Sequence, residues 1–346
     1  MKSRRHFLRQ AALAGATASL PLTSLSASSP ANALAMHGLQ PGKNIVGHGD
    51  FRYRVDKKWG NLDPEKQPVQ HCHEMVLDSR DRLVCSTVSD KFDVLAYNKD
   101  GKMVNSWKLG LTEAHGLTKA GEGSDQTYWI TDTAGRVLNV DLDGRIIREL
   151  HRPEEHIPAG QAYKPTETTV TSSGDIYVAD GYGTNKIFHY DPKGRLKNIF
   201  GGPDHFNCCH GIVVDTRRGK EELLITSRAN KEFQRWTLDG KHDMTRKLPG
   251  LEICRPVING EYTLFAVIVT KSWWSYDGMV AVLDKDFNVV SLPGGSAPEE
   301  QDNFTGVQSD GLTFLNPHDV CPDNDGNLYV PQWYSGKTYP VRLKRV

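Results

Sequence analysis

The 346-residue sequence predicts an all-β protein, a single six-bladed β-propeller. Val, Ile, Tyr, Trp and Thr dominate its apolar segments and no helical period is sustained, which favours strands. A strand followed by a glycine turn recurs at Gly101, Gly144, Gly194 and Gly240, positions that lie 43, 50 and 46 residues apart. This period is typical of four-stranded propeller blades and too long for leucine-rich or ankyrin repeats. A β-sandwich is the alternative all-β fold, but it does not explain the period.

The predicted elements follow the same unit along the chain. Residues 36–50 are expected to form a lead segment, and Phe51–Val55 alternates like an edge strand. The third strand of the unit and its turn recur as Val94–Lys102, Val137–Arg145, Ile187–Arg195 and Phe233–Lys241, with a fifth copy, Val280–Phe287, that lacks the glycine. Tyr339–Lys344 supplies a last outer strand. We expect the N- and C-terminal strands to close the ring, so that the propeller spans residues 51–346 without exposed sheet edges.

The N-terminus resembles an export signal. The pair Arg4-Arg5 precedes an apolar run at residues 10–22, and Ala33–Ala35 offers an A-x-A cleavage site. This pattern predicts a twin-arginine signal peptide over residues 1–35, export by the twin-arginine translocation machinery, and a periplasmic or secreted protein. The run is too short to cross a bilayer, so no membrane anchor is expected. Basic and acidic residues balance at 42 each, without a basic stripe, so nucleic acid is not an expected partner.

Histidine recurs at the start of the innermost strand of the unit. The predicted starts are His73, His115, the pair Thr166-Glu167, His210, the neighbourhood of Arg255-Pro256, and His318. In a propeller these positions meet at one end of the central channel. Imidazole is the usual nitrogen ligand of zinc, and three protein ligands leave an open coordination position. We therefore expect a shared zinc or iron site of His115, His210 and His318, with His73 as an additional candidate. The alternative is that each histidine is a core residue hydrogen-bonded to backbone.

Asp319 directly follows His318 and is expected to point away from it. Together with the main-chain carbonyls of Met75 and Leu117 on neighbouring inner strands, its carboxylate would form an all-oxygen set suited to calcium. The alternative is an aspartate that caps a turn.

Several segments, in this order, resemble the NHL-repeat family and, within it, the peptidyl-α-hydroxyglycine α-amidating lyase group, also called peptidylamidoglycolate lyase. They cover most of the chain after the predicted signal and are His115–Leu117, Lys164–Glu167, Val178–Tyr182, Asn185–Ile187, His210–Ile212, Ile225–Asn230 and Pro317–Val320. The resemblance implies a six-bladed propeller with a zinc held by three histidines and a structural calcium.

Carried over residue by residue, the resemblance assigns roles to named positions. It makes His115, His210 and His318 the zinc ligands, and it gives calcium the carboxylate of Asp319 with the carbonyls of Leu117 and Met75. Tyr182 takes the place of the catalytic tyrosine base, and Arg228 that of a catalytic-site arginine. The implied activity is an exported lyase that cleaves a carbinolamide C–N bond of a peptide or small-molecule substrate, with zinc as Lewis acid.

The sequence also departs from the family pattern. The family's second active-site arginine is missing from Cys85–Ser89, Asn316 replaces a methionine, and Gly183 replaces a disulfide cysteine. Because a guanidinium is the natural clamp for a carboxylate, its loss points to an altered substrate. His73 with His71 and Glu74, and the segment Lys271–Trp274, are expected to build a different pocket. The alternative function is a non-catalytic NHL propeller that binds a protein or glycan partner, with a structural metal in its channel.

Overall fold

The computed structural model describes residues 44–60, 62–333 and 339–346. The predicted signal peptide, residues 1–35, and the first part of the lead segment, residues 36–43, lie outside them. In the described part the chain forms six small antiparallel sheets arranged as a propeller, which confirms the predicted fold. Short 3-10 helices in the connections include Gly123–Asp125, Glu154–His156 and Arg228–Asn230. No helix among the described residues is long and apolar enough to cross a membrane.

Five blades contain four strands each, which are named from the channel outward. They are His71–Leu77, Leu83–Val88, Val94–Tyr97 and Met103–Trp107 in blade 1; Ala114–Ala120, Thr127–Asp132, Arg136–Asp141 and Ile146–Glu149 in blade 2; Glu167–Val170, Ile176–Ala179, Lys186–Tyr190 and Leu196–Gly201 in blade 3; Cys209–Asp215, Glu222–Ser227, Glu232–Trp236 and His242–Lys247 in blade 4; Glu252–Asn259, Tyr262–Val269, Met279–Leu283 and Val289–Ser291 in blade 5.

Blade 6 joins the two ends of the chain. From the channel outward it contains Cys321–Pro322, Leu328–Val330, Val341–Arg345, Phe51–Asp56 and Ile45–His48. Val55 pairs with Leu343 in an antiparallel register, so the predicted ring closure is confirmed. The fifth strand lies within the predicted lead segment. It forms because the turn at Gly49, where φ is +55°, folds the chain back so that His48 pairs with Phe51.

The core lies between adjacent blades. Because side chains alternate along a strand, each sheet buries apolar residues on both faces. One cluster joins blades 4 and 5 through residues such as Phe233, Phe265 and Met279. Another joins blades 1 and 2 through residues such as Val84 and Tyr128. This packing fixes the inner strands around the channel and therefore the side chains that face it.

The recurrent turns share one geometry, in which the fourth residue of the turn has a positive φ. Gly101 donates its N–H to Asn98, and Phe287 donates to Asp284 in the same way. Gly101 has φ +87° and Phe287 has φ +63°. A left-handed non-glycine residue costs about 1–2 kcal/mol. Burying the Phe287 ring against Phe233 stabilises by about 1.5–3 kcal/mol and offsets that strain, which explains why this copy of the turn lacks glycine.

Candidate metal centre

Inner strands of the propeller carry an irregularity at one equivalent position. The pairing register shifts between Cys72 and Met75, and at the matching places in blades 2, 4 and 5. Two consecutive residues are thereby freed from the ladder, as in a β-bulge. With the matching residues of blades 3 and 6, they form two layers around the channel. We call the first the histidine layer: His73, His115, Thr166, His210, Cys254 and His318. We call the second the carboxylate layer: Glu74, Gly116, Glu167, Gly211, Arg255 and Asp319.

Four buried imidazoles meet in the histidine layer, as the repeat predicted. The ring centres of His115 lie 4.6 Å from His73, 5.0 Å from His210 and 4.8 Å from His318. The ligand atoms of His73, His115 and His318 lie within 4.8 Å of one another, and so do those of His210, Cys254 and His318. The histidines therefore form a group that could hold a metal ion.

Backbone hydrogen bonds fix the tautomers of three rings. The Nδ1 of His318 lies 3.0 Å from the carbonyl of His73, that of His73 lies 2.8 Å from the carbonyl of Ala114, and that of His115 lies 2.8 Å from the carbonyl of Thr166. A carbonyl only accepts, so each Nδ1 carries the proton and each Nε2 keeps its lone pair. This is the arrangement that orients metal-binding histidines. His210 differs, because its buried Nδ1 has no partner within the described ranges.

The layer favours neutral imidazoles. Burial, with a smaller effect of the Arg228 charge, lowers the pKa of His115 to about 3. Burial likewise holds the pKa of His73, His210 and His318 well below the usual range. Metal coordination requires the neutral ring, so the site is prepared for a cation at neutral pH. Burial raises the pKa of the Cys254 thiol to about 12, so the sulfur that blade 5 contributes is protonated without a metal.

Tyr182 and Arg228 lie at the mouth of the histidine layer. The Tyr182 hydroxyl lies 3.3 Å from the Nε2 of His115 and 3.1 Å from the Nε2 of His210, and it accepts a 3.0 Å hydrogen bond from Arg228. Asp180 shapes the turn that delivers Tyr182 by accepting from the N–H of Lys164 and Thr184. Burial raises the pKa of Tyr182, and Arg228 opposes that effect. The two predicted catalytic residues thus meet two predicted ligands.

The predicted calcium ligands also lie close together, but they surround the side chain of Arg255. The guanidinium of Arg255 donates to both carboxylate oxygens of Asp319 at 2.9 and 2.7 Å, to the carbonyl of Leu117 at 2.9 Å and to that of Met75 at 3.0 Å. The oxygen atoms that converge are the predicted ones, but the positively charged group at their centre is the Arg255 guanidinium. These residues do not fit a calcium ion, because the Arg255 guanidinium occupies the point at which their oxygens converge. This arrangement does not support the calcium prediction.

The positions that depart from the family pattern have distinct surroundings. Cys85 and Ser86 are buried, and the Ser86 hydroxyl donates to the carbonyl of His115. Asn316 is buried with φ +50°. Of the predicted extra pocket residues, His71 lies beside the histidines, since its ring stacks 5.9 Å from that of His73.

An aromatic line runs from the histidine layer to the surface. His71 also stacks 5.7 Å from Trp333, and Trp333 meets Trp273 edge to face at 5.9 Å. Trp273 is 38% exposed and Trp274 is 63% exposed. Large exposed tryptophans at the entrance of a polar site commonly mark a binding surface.

Sequence reasoning missed two residues. Cys254, which directly precedes the predicted pair Arg255-Pro256, occupies the blade 5 place in the histidine layer. Aligning Ile253-Cys254-Arg255 with Cys209-His210-Gly211 residue by residue would have given this register. The role of Arg255 in the second layer had no comparable signal, because nothing local indicates where a long side chain ends.

Solved structures share the fold. A streptogramin B lyase superposes with a TM-score of 0.56 at 13% identity and covers 80% of this chain and 94% of its own. A gluconolactonase of Xanthomonas campestris superposes with a TM-score of 0.58 at 11% identity, covering 87% and 94% respectively. At these identities the likeness concerns the β-propeller alone.

Curated relatives share sequence as well. The chain is 26% identical to a probable peptidyl-α-hydroxyglycine α-amidating lyase of Caenorhabditis elegans, over 71% of this chain and 69% of that protein. It is 25% identical to human NHL repeat-containing protein 3, over 53% and 56%. It is 23% identical to a rat peptidylglycine α-amidating monooxygenase, over 66% of this chain and 23% of that one. No known family profile matches the chain. The predicted resemblance to both NHL-repeat proteins and amidating lyases is confirmed, and it supports a lyase-like propeller.

Proposed function

We propose that this protein is a metal-dependent carbon–nitrogen lyase that cleaves a carbinolamide of the hydroxyglycine type. The observation that carries the proposal is the Tyr182 hydroxyl, which lies 3.3 and 3.1 Å from the Nε2 atoms of His115 and His210 and 3.0 Å from Arg228. A tyrosine held by two candidate metal ligands and one guanidinium is a poised acid–base group. Similarity to an amidating lyase supports the same chemistry.

His115, His210 and His318 are the residues that would hold a zinc or iron ion, with His73 beside them. The fit rests on the neutral, buried rings, on the three backbone-fixed tautomers and on the buried, unpartnered Nδ1 of His210 in the described structure. When bound, the ion would supply a Lewis acid for the substrate oxygen.

Tyr182 is the proposed base. Burial raises its pKa, whereas the positive charge of Arg228 favours the phenolate, and a cation held by the neighbouring imidazoles would favour it further. The phenolate takes the proton of the carbinol hydroxyl. The O–H electron pair forms the aldehyde C=O bond, the electron pair of the C–N bond goes to nitrogen, and Tyr182 returns the proton to that nitrogen, which leaves as the amide. Substrate atoms are thereby divided between an amide and glyoxylate without any redox step.

The substrate is proposed to differ from a peptide ending in a clamped carboxylate. Cys85 and Ser86 stand buried where the family has its second arginine, so no guanidinium comes from that strand. The aromatic line of His71, Trp333 and Trp273 lies beside the histidines instead. These surroundings favour a small-molecule or peptide substrate with an apolar group next to the carbinol. We further propose the predicted twin-arginine export, periplasmic or secreted location and absence of nucleic-acid partners for this enzyme.

A structural metal in a binding propeller is the second candidate function, because His73 brings the number of imidazoles to four. Four protein ligands are typical of a closed structural zinc site, whereas three leave room for a substrate. The test is metal analysis of the exported protein followed by an assay of glyoxylate release from an α-hydroxyglycine peptide and from an acyl-hydroxyglycine with an aromatic acyl group. Turnover of either substrate that depends on the metal supports the lyase. A stoichiometric metal without turnover of either one favours the binding propeller.

A further inference from the structure

One arginine lies at the centre of the carboxylate layer. Glu74, Glu167 and Asp319 are completely buried, and Arg255 is 8% exposed. The guanidinium holds Asp319 in a bidentate pair at 2.9 and 2.7 Å. Its Nη1 also lies 3.1 Å from the carboxylate of Glu74 and 3.5 Å from that of Glu167. A planar guanidinium with five donors matches several oxygens at once, which an ammonium cannot do.

These contacts tie the ring together. Besides the carboxylates, Arg255 donates to the carbonyls of Met75 at 3.0 Å and Leu117 at 2.9 Å. With Asp319 and Glu167, the partners come from blades 1, 2, 3 and 6, and the arginine itself belongs to blade 5. Blade 4 contributes no partner to the guanidinium.

The inner strands of blades 4 and 5 pass close to each other at Gly211 and Arg255. A Cβ added to Gly211 would lie 2.2 Å from the Cα of Arg255, closer than real Cβ atoms approach. Glycine is therefore required at this position for the inner strands of blades 4 and 5 to approach each other this closely beside Arg255.

We propose that Arg255 is the resident cation of this propeller: its guanidinium replaces a bound divalent ion as the brace of the inner strands. The oxygens around it are three carboxylates and two carbonyls, which is the hard-ligand set that calcium prefers. The guanidinium occupies the point at which these oxygens converge, so a divalent ion would have to displace it to reach them. The brace is consequently independent of calcium, and it does not rest on the lyase activity proposed above.

The same residue closes the channel. A cavity of about 440 Å³ lies on the opposite side of Arg255 and is lined by residues such as Met75, Ile212 and Val320. Because the guanidinium and its carboxylates fill the axis between that cavity and the histidine layer, substrate and metal reach the histidines from the side of Tyr182.

The test compares thermal melting and calorimetric calcium titration of the metal-loaded protein with its Arg255→Ala variant. We expect calcium to leave the melting temperature of the wild type unchanged. Removing the guanidinium leaves three buried carboxylates unpaired, so Arg255→Ala should melt about 10 °C lower without calcium and regain part of that loss with it. The added Asp319→Asn change should abolish the recovery. Arg246→Ala, which removes a surface ion pair with Asp302, is the matched control and should show no calcium effect.

Stoichiometric calcium binding to the wild type that is lost in Asp319→Asn would overturn the proposal, and this arm remains informative if Arg255→Ala fails to fold. Arg255→Lys provides a second variant, since lysine keeps the charge but not the fork of donors. It should fold, melt between the wild type and Arg255→Ala, and gain no calcium response. A calcium response in Arg255→Lys equal to that of Arg255→Ala would also contradict the proposal, because charge at the axis would then not exclude the ion.

Discussion

The histidine layer and the carboxylate layer are built from neighbouring residues of the same strands, yet they have opposite characters. His318 faces neutral imidazoles and the mouth of the channel, whereas Asp319 faces a guanidinium that uses both of its oxygens. The first layer keeps lone pairs aimed at a common point, whereas the guanidinium of Arg255 occupies that point in the second layer. Adjacent residues of the inner strands therefore serve two purposes. The first residue faces the candidate metal centre, and the next one belongs to the layer that ties the strands together.

His210→Ala gives the largest expected effect on the histidine layer. Loss of one ligand among three should reduce bound zinc or iron from about one equivalent per chain to less than about a tenth and abolish turnover, while circular dichroism shows an intact propeller. Elemental analysis measures the change, with the exposed His242→Ala as control. Full metal content in His210→Ala would remove this residue from the site.

Tyr182→Phe should separate catalysis from metal binding. The variant lacks the hydroxyl that lies between His115 and His210, so kcat/KM for glyoxylate release should fall about 10²–10⁴-fold at unchanged metal content. Tyr262→Phe, at the far end of a blade 5 strand, is the control. Wild-type turnover in Tyr182→Phe would leave the metal site in place but contradict the proposed base.

Asp319→Asn should act on stability alone. The amide keeps the shape but removes the charge that pairs with Arg255, and breaking a buried pair costs about 3–5 kcal/mol, or a melting temperature lower by about 10 °C. The loss should be the same with and without calcium, and the metal content should not change. Asp302→Asn, in an exposed ion pair, serves for comparison. A calcium-dependent difference between wild type and Asp319→Asn would return the ion to this layer.

His73→Gln has the smallest expected effect, and it tests whether three or four histidines bind the ion. If His115, His210 and His318 hold the ion, the neighbouring imidazole should contribute about 10–100-fold in affinity, as outer partners of metal ligands do. Titration against a competing chelator measures this change. Complete loss of metal would make His73 a principal ligand and favour the closed structural site, whereas an unchanged affinity would separate it from the centre.

Much of the site was predictable from sequence because a propeller arranges its repeats around one axis, so that equivalent positions of the repeats lie close together. Once the repeat was recognised, the equivalence of His115, His210 and His318 along the chain implied that they meet at the axis, and Met75, Leu117 and Asp319 were correctly expected to converge one residue further on. The added strand Ile45–His48 was not expected, since its pairing depends on a single turn rather than on the repeat.

The sequence by itself determined the blade count, the closure and the positions of the residues at the axis, because strand period and repeat spacing are local properties of the chain. Only the tertiary structure decided what occupies the second layer. Arg255 reaches partners up to 180 positions away, and its destination depends on which oxygens the other blades present. The tautomers of His73, His115 and His318 also depend on the tertiary structure, since the carbonyl that accepts from each imidazole belongs to the neighbouring blade.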